Sequence, residues 1–172
     1  MKEIIKWVGI SGSWRATSSE IEKDVRETTR EIISKGKGII TGGALNVDYQ
    51  ATDEVLNLRL PQHIKIFLPT TLATYAAHYR KRAEEGVITK EQAENLITQL
   101  TTLQEQNPKG IIENPKNTIV DTTTYYERNQ AVVDASDELV AFQVNDSKGT
   151  QDTIDKAKRK GIPVTVHSYK VE

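Results

Sequence analysis

Four stretches of this 172-residue chain combine residue types that can hold an anion or a polar ring. Ser11-Gly12-Ser13-Trp14-Arg15 sets small residues beside a guanidinium. Small side chains let backbone N–H groups approach an anion, and the N-terminus of a following helix adds partial positive charge. Arg15 can pair with a phosphate. Trp14 suits stacking on a base and equally suits covering the loop. Thr41-Gly42-Gly43-Ala44-Leu45-Asn46-Val47-Asp48 repeats the small-residue pattern. Asp48 falls in the first turn of a helix, where a carboxylate suits the dipole. It can also accept hydrogen bonds from a ribose or base, or support the first loop.

Asn145-Asp146-Ser147-Lys148-Gly149-Thr150 again follows a strand and opens a helix. Lys148 supplies charge, and Thr150 a hydroxyl for capping or for a phosphate. Tyr125-Tyr126-Glu127-Arg128-Asn129 puts Arg128 and Asn129 in the first turns of a helix near the same edge, where packing needs neither. The candidate ligand-binding residues are therefore Gly12, Ser13, Trp14, Arg15, Gly42, Gly43, Ala44, Asp48, Arg128, Asn129, Ser147, Lys148, Gly149 and Thr150. Were the chain an enzyme acting on an N-glycosidic or phosphate-linked bond, Glu127, Asp48 and Asp152 are the carboxylates available as acid or base. His63, His78 and His167 lack metal-ligand spacing, and no serine sits in a nucleophile elbow, so no metal site is expected. Without cysteine, disulfides and thiolate chemistry are excluded.

Those loops need elements to hold them. Residues 2–10 read as a buried strand, with the start of the chain unlike a signal peptide. Ser19 and Glu22 form a capping box before a helix whose apolar face is Ile21, Val25, Ile32 and Ile33, ended by Gly36. Strand 38–41, a helix marked by Val47, Ala51, Val55 and Leu58, and strand 64–68 follow. Helices at 71–85 and 89–106 are separated by Gly86, and the second opens on a Thr89–Gln92 capping box. Residues 107–117 read as loop, then strand 118–120, helix 124–136, strand 139–144, helix 150–160 and strand 163–167. Alternating strands and helices imply right-handed βαβ units, a parallel sheet with helices on both faces, and ligands at the carboxyl ends of the strands. The expected architecture is one α/β domain over residues 1–172, a three-layer doubly wound parallel sheet with a helical insertion at about 71–106.

Residues Arg80, Lys81 and Arg82 give that insertion a basic face, read as solvated or as a ligand contact. Its apolar residues Leu72, Tyr75, Tyr79, Leu96, Ile97, Leu100 and Leu103 exceed what two helices bury against each other, which motivates a homodimer or higher homo-oligomer. Hydrophobic residues at 37% and charged residues at 27% fit a soluble globular protein, and cytoplasmic location is the default. No apolar run is long enough to span a membrane. A net charge of −1 disfavours a dedicated nucleic-acid-binding domain, whose affinity comes from phosphate neutralisation.

Together the four stretches resemble the Rossmann-like superfamily that joins DNA-processing protein A (DprA/Smf) with the LONELY GUY, or lysine-decarboxylase-like, phosphoribohydrolases. Gly12-Ser13-x-Arg15 is similar to the first DprA loop, and Gly42-Gly43-Ala44-x-x-Val47-Asp48 to its Ser-Gly-x-Ala-x-Gly-x-Asp segment. Arg128-Asn129 matches its Arg-Asn pair, and Ser147-x-Gly149-Thr150 its Ser-Gly-(Ser/Thr) loop. The resemblance implies a nucleotide or nucleoside phosphate as bound ligand, and a homo-oligomer. Two departures limit what transfers. Thr153 stands where the phosphoribohydrolases carry their catalytic glutamate, which argues against that hydrolysis. The chain is also not basic, which argues against DprA-like single-stranded DNA binding.

Overall fold

The computed structural model describes residues 3, 4 and 6–172. Strands β1 (Trp7–Gly12), β2 (Gly38–Thr41), β3 (Ile64–Phe67), β4 (Ile111–Ile112), β5 (Glu138–Val144) and β6 (Val164–Tyr169) form one sheet in the order β4-β3-β2-β1-β5-β6. Every pairing is parallel. The chain therefore builds outward from β1 to β4, returns, and builds outward on the other side through β5 to β6. Strand order reverses between β1 and β5, which opens a crevice at their carboxyl ends.

The helices are α1 (Ser19–Ser34), α2 (Val47–Asn57), α3 (Leu72–Glu84), α4 (Lys90–Gln106), α5 (Thr122–Ala135) and α6 (Lys148–Lys160). Right-handed crossovers put helices made in the two directions on opposite faces. Side chains of β5 display this: Leu139 and Ala141 pack with Val133, Ile154 and Ala157 of α5 and α6, whereas Phe142 and Val144 join Ile21, Val25 and Val55 of α1 and α2. Each helix starts and stops for local reasons. Ser18, one residue before the expected cap, accepts from the Ile21 N–H at 3.2 Å, and Gly36 ends the α1 region at φ +76°. The capping box of α4 is complete: Gln92 N–H donates to Thr89 Oγ1 at 3.0 Å and Thr89 N–H to Gln92 Oε1 at 2.9 Å.

Four expectations need correction. Residues 118–120 form no strand; the fourth strand is Ile111–Ile112, inside the segment read as loop. Two residues carry no period, and their Pro and Gly neighbours signal a turn, yet Ile111 pairs with Ile66. Thr118 and Ile119 are exposed, Ile119 at 63%, and Val120 alone of the three packs against the core, so the segment has no strand neighbour to recruit it. The first strand starts at Trp7 and runs on through Ser11 and Gly12, because both pair with β5; of the residues expected in it, Lys2 and Ile5 lie outside the described residues. Leu58, expected on the buried face of α2, follows its last turn and is 39% exposed.

The fourth concerns the helical insertion. Of its apolar residues, Tyr75, Tyr79, Leu96, Ile97, Leu100 and Leu103 are all buried within the one chain, and Gln99 Nε2 donates to the Tyr49 carbonyl of α2 at 2.9 Å. These residues therefore supply no motive for a second subunit. Leu100→Ala is expected to cost about 2–5 kcal/mol of global stability in urea denaturation. A loss below about 1 kcal/mol, the level of a surface change, would mean that α3 and α4 open independently of the sheet.

Candidate functional site

The crevice holds a cleft of about 830 Å³. Residues of all four stretches line it: Gly12 at the end of β1 with Trp14 and Arg15 after it; Gly42 and Ala44 between β2 and α2, with Asp48 in the first turn of α2; Arg128 and Asn129 on α5; and Ser147, Lys148, Gly149 and Thr150 at the start of α6. Ser13, Gly43, Glu127 and Asp152 do not line it. Ser13 Oγ instead accepts from the Arg15 and Ala16 N–H groups at 3.2 and 3.5 Å and shapes the first turn. Glu127 Oε2 accepts from Asn117 Nδ2 at 3.0 Å. Asp152 pairs with Lys156 at 2.6 Å and accepts from Asn129 Nδ2 at 3.1 Å, so it orients the Arg-Asn pair from behind.

The glycines divide by what surrounds them. A Cβ at Gly12 would meet Val47 Cγ2 at 2.4 Å, one at Gly42 would meet the Arg128 guanidinium carbon at 2.6 Å, and one at Gly43 would meet Ile66 Cγ2 at 2.9 Å. At Gly12 and Gly43 the neighbours are core side chains, and at Gly42 the far end of Arg128 would have to shift, so Gly43, a candidate ligand-binding residue, is needed for packing and lies outside the cleft lining. Gly149 alone of the four has nothing within 4 Å of its added Cβ.

The second loop is tied down from three elements. Asp48 Oδ2 accepts from the Gly42 and Ala44 N–H groups, both at 3.2 Å. Arg128 Nη1 donates to the Gly42 carbonyl and Nε to Asn129 Oδ1 at 3.1 Å. The Tyr75 hydroxyl donates to the Gly43 carbonyl at 2.9 Å. Asn46, at φ 60°, donates from its side chain to the Trp14 carbonyl and so couples the second loop to the first. Asp48 is 6% exposed, and its Oδ1 has no partner among the described residues. Burial pushes the Asp48 carboxyl above its ordinary value, against the pull of Arg128 and the two N–H groups. Burial also works to lower the Arg128 pKa, but Tyr75, Asp48, Tyr125 and Tyr79 around it outweigh that, so the guanidinium stays charged.

At the start of α6 the N-cap residue Ser147 makes no side-chain capping bond, whereas Ser18, Thr71, Thr89 and Asp121 cap α1, α3, α4 and α5. The first N–H groups of a helix have no intrahelical partner, and the residues that carry them here, Lys148, Gly149 and Thr150, line the cleft, an arrangement that can accept an anion. Lys148, like Arg15, is exposed.

One wall was not legible as site. His78, Tyr79 and Arg82 of α3, with Val87 and Ile88 of the turn to α4, complete the cleft opposite the loops. Spacing of i, i+1, i+4 puts these three on one face, the signal that could have found them. Of the basic residues of that helix only Arg82 reaches the cleft; Arg80 pairs with Glu94 at 3.0 Å. Burial, then Arg82 and Lys81, hold His78 below its ordinary pKa. Among the described residues no three histidine or carboxylate side chains cluster as metal ligands, and no helix is long and apolar enough to cross a membrane.

No protein-family model matches the chain, nor does any curated protein. Among solved structures it is similar to DNA processing protein A from Helicobacter pylori, described for its single-stranded DNA binding mode, at 21% identity and TM-score 0.67 over 94% of this chain. The chain spans 64% of that protein's length. It is also similar to the molybdenum cofactor binding protein of the phototrophic bacterium Rippkaea orientalis, at 15% identity and TM-score 0.60 over 95% of this chain and 76% of the other. The structural-genomics target TM1055 aligns at 16% identity and TM-score 0.54 over 93% of this chain and 72% of its own. The fold is thus the Rossmann-like fold expected from the sequence, shared with DNA processing protein A.

Proposed function

We propose that the cleft binds a nucleotide or nucleoside phosphate. The phosphate caps α6, between Ser147 and Thr150, with Lys148 and Arg15 as counter-charges and Arg128 behind. Asp48, through the Gly42 and Ala44 N–H groups, holds the second loop in the shape that walls the ligand. The observation that carries this reading is the start of α6, whose N-cap Ser147 makes no side-chain capping bond and which opens on the cleft beside Lys148 and Arg15. The other solved structures of this fold fit the reading, since one is named for single-stranded DNA and another for the molybdenum cofactor. Glu127 and Asp152 lie outside the cleft, and Asp48, which lines it, is buried and committed to the Gly42 and Ala44 N–H groups, so binding without turnover is the better-supported form, and a homodimer remains part of the proposal only through the family resemblance.

Titration calorimetry with AMP and ADP tests it. Lys148→Ala is expected to weaken AMP binding by roughly 1.5–3 kcal/mol, the range for a hydrogen bond to a charged group, with an unchanged melting temperature because Lys148 is exposed. Equal affinity in Lys148→Ala, Arg15→Ala and the parent would remove the phosphate site.

A further inference from the structure

The cleft has two aromatic platforms, one on either side of the crevice. Trp14 belongs to the loop that leads from β1 into α1, and Tyr126 to α5, which packs with α6 on the opposite face of the sheet. Both rings are 37% exposed and both line the cleft. Each carries a cation over one face: the Arg15 guanidinium lies 4.9 Å from the Trp14 ring centre, and Lys156 Nζ 5.1 Å from that of Tyr126. A cation on one face steadies the ring and leaves the other face for stacking. Lys156 is itself held by Asp152 at 2.6 Å, so the second platform is anchored to the same network that orients Asn129.

From this pairing, and resting on the nucleotide reading above, we infer that the ligand carries two heterocycles: a dinucleotide or dinucleoside phosphate, with one base on Trp14, the other on Tyr126 and the phosphates between them at α6. A mononucleotide has one base and engages one platform. The cleft volume, about 830 Å³, stands toward the upper end of the roughly 300–1,000 Å³ of small-molecule sites. In open parallel sheets a dinucleotide lies across the crevice where strand order reverses, here between β1 and β5. The charge fits as well: Arg15, Arg128 and Lys148 line the same cleft as the two rings, and a phosphate linkage between two bases carries negative charge.

Titration calorimetry at one fixed salt concentration, with AMP, NAD+, diadenosine diphosphate and ApA as probes, decides the matter. At least one two-base probe is expected to bind about tenfold or more tightly than AMP, the gain from one additional base–aromatic stack. Trp14→Ala and Tyr126→Ala should each abolish that gain. Thermal melts confirm that both variants are folded, as their exposure implies. Two-base probes within about threefold of AMP, or a gain that survives both substitutions, would overturn the inference and leave the mononucleotide reading in place. Affinity for oligodeoxyadenylates that keeps rising with length beyond two nucleotides would overturn it in favour of a strand. Absence of binding by every probe would overturn the nucleotide reading itself.

Discussion

Gly149→Val is expected to leave the melting temperature within about 2 °C of the parent while weakening nucleotide binding by roughly 1.5–3 kcal/mol, or about 10–150-fold. Gly43→Val is expected to do the reverse and destabilise the fold itself by about 3–5 kcal/mol. Both glycines sit in stretches of similar composition, and their surroundings separate them. Gly149 lies in the first turn of α6 with open space beyond its Cα. Valine is slightly better than glycine in a helix, so the fold loses nothing, but the isopropyl group occupies the ground a phosphate would take. Gly43 has φ +68°, and its added Cβ would lie 2.9 Å from Ile66 Cγ2 and 3.0 Å from Leu68 Cδ2. A β-branched residue in the left-handed region is strained, and overpacking a core adds to that. Parallel thermal melts and titrations read both effects. If Gly149→Val lowered stability and spared binding, the ligand would not sit on α6.

This contrast also marks how far the sequence could be read. Glycine pairs signal close approach of a backbone to something, but not to what. Gly42 and Gly43 face Arg128 and Ile66, and only the packed structure distinguishes those from a ligand. The larger elements were legible because their signals are repeated. Ile21, Val25, Ile32 and Ile33 keep helical spacing over several turns, and alternation of strand and helix fixes a parallel sheet. Strand β4 was not, since two residues between Pro108-Lys109-Gly110 and Glu113 carry no period and are recruited by pairing with β3. The α3 wall was half legible. Arg80, Lys81 and Arg82 read alike in sequence, and only the helix phase sends Arg82 to the cleft and Arg80 to Glu94. The apolar surplus of α3 and α4 was read as surface for a partner because the sheet and α2, which cover it, lie far away along the chain.

The same dependence on packing changes what Arg128 should do when removed. Its sequence position suggests a ligand contact whose loss spares the fold, but the guanidinium lies against Gly42 and is the nearest cation to the buried Asp48 carboxylate. Arg128→Ala is expected to cost roughly 3 kcal/mol of stability at pH 7, near the low end for stranding a buried charge, in addition to weakening ligand binding. The cost should depend on pH with a definite sign. Burial raises the Asp48 pKa in the folded protein above 3.8, and Arg128 works against that rise. A raised carboxylate contributes stability that is complete below 3.8 and is lost as pH climbs through the folded value. Without Arg128 the folded value rises further, so the loss extends to higher pH, and the gap between parent and variant widens from pH 4 to pH 7. Asp48→Asn should close most of that gap, because one side-chain oxygen accepts both the Gly42 and Ala44 N–H groups and an amide retains one oxygen. Urea denaturation of the parent, the two single variants and the double variant across that pH range completes a double-mutant cycle. A cost for Arg128→Ala that stays constant with pH, or that Asp48→Asn does not relieve, would falsify the counter-ion role and leave Arg128 as a strut that packs on Gly42.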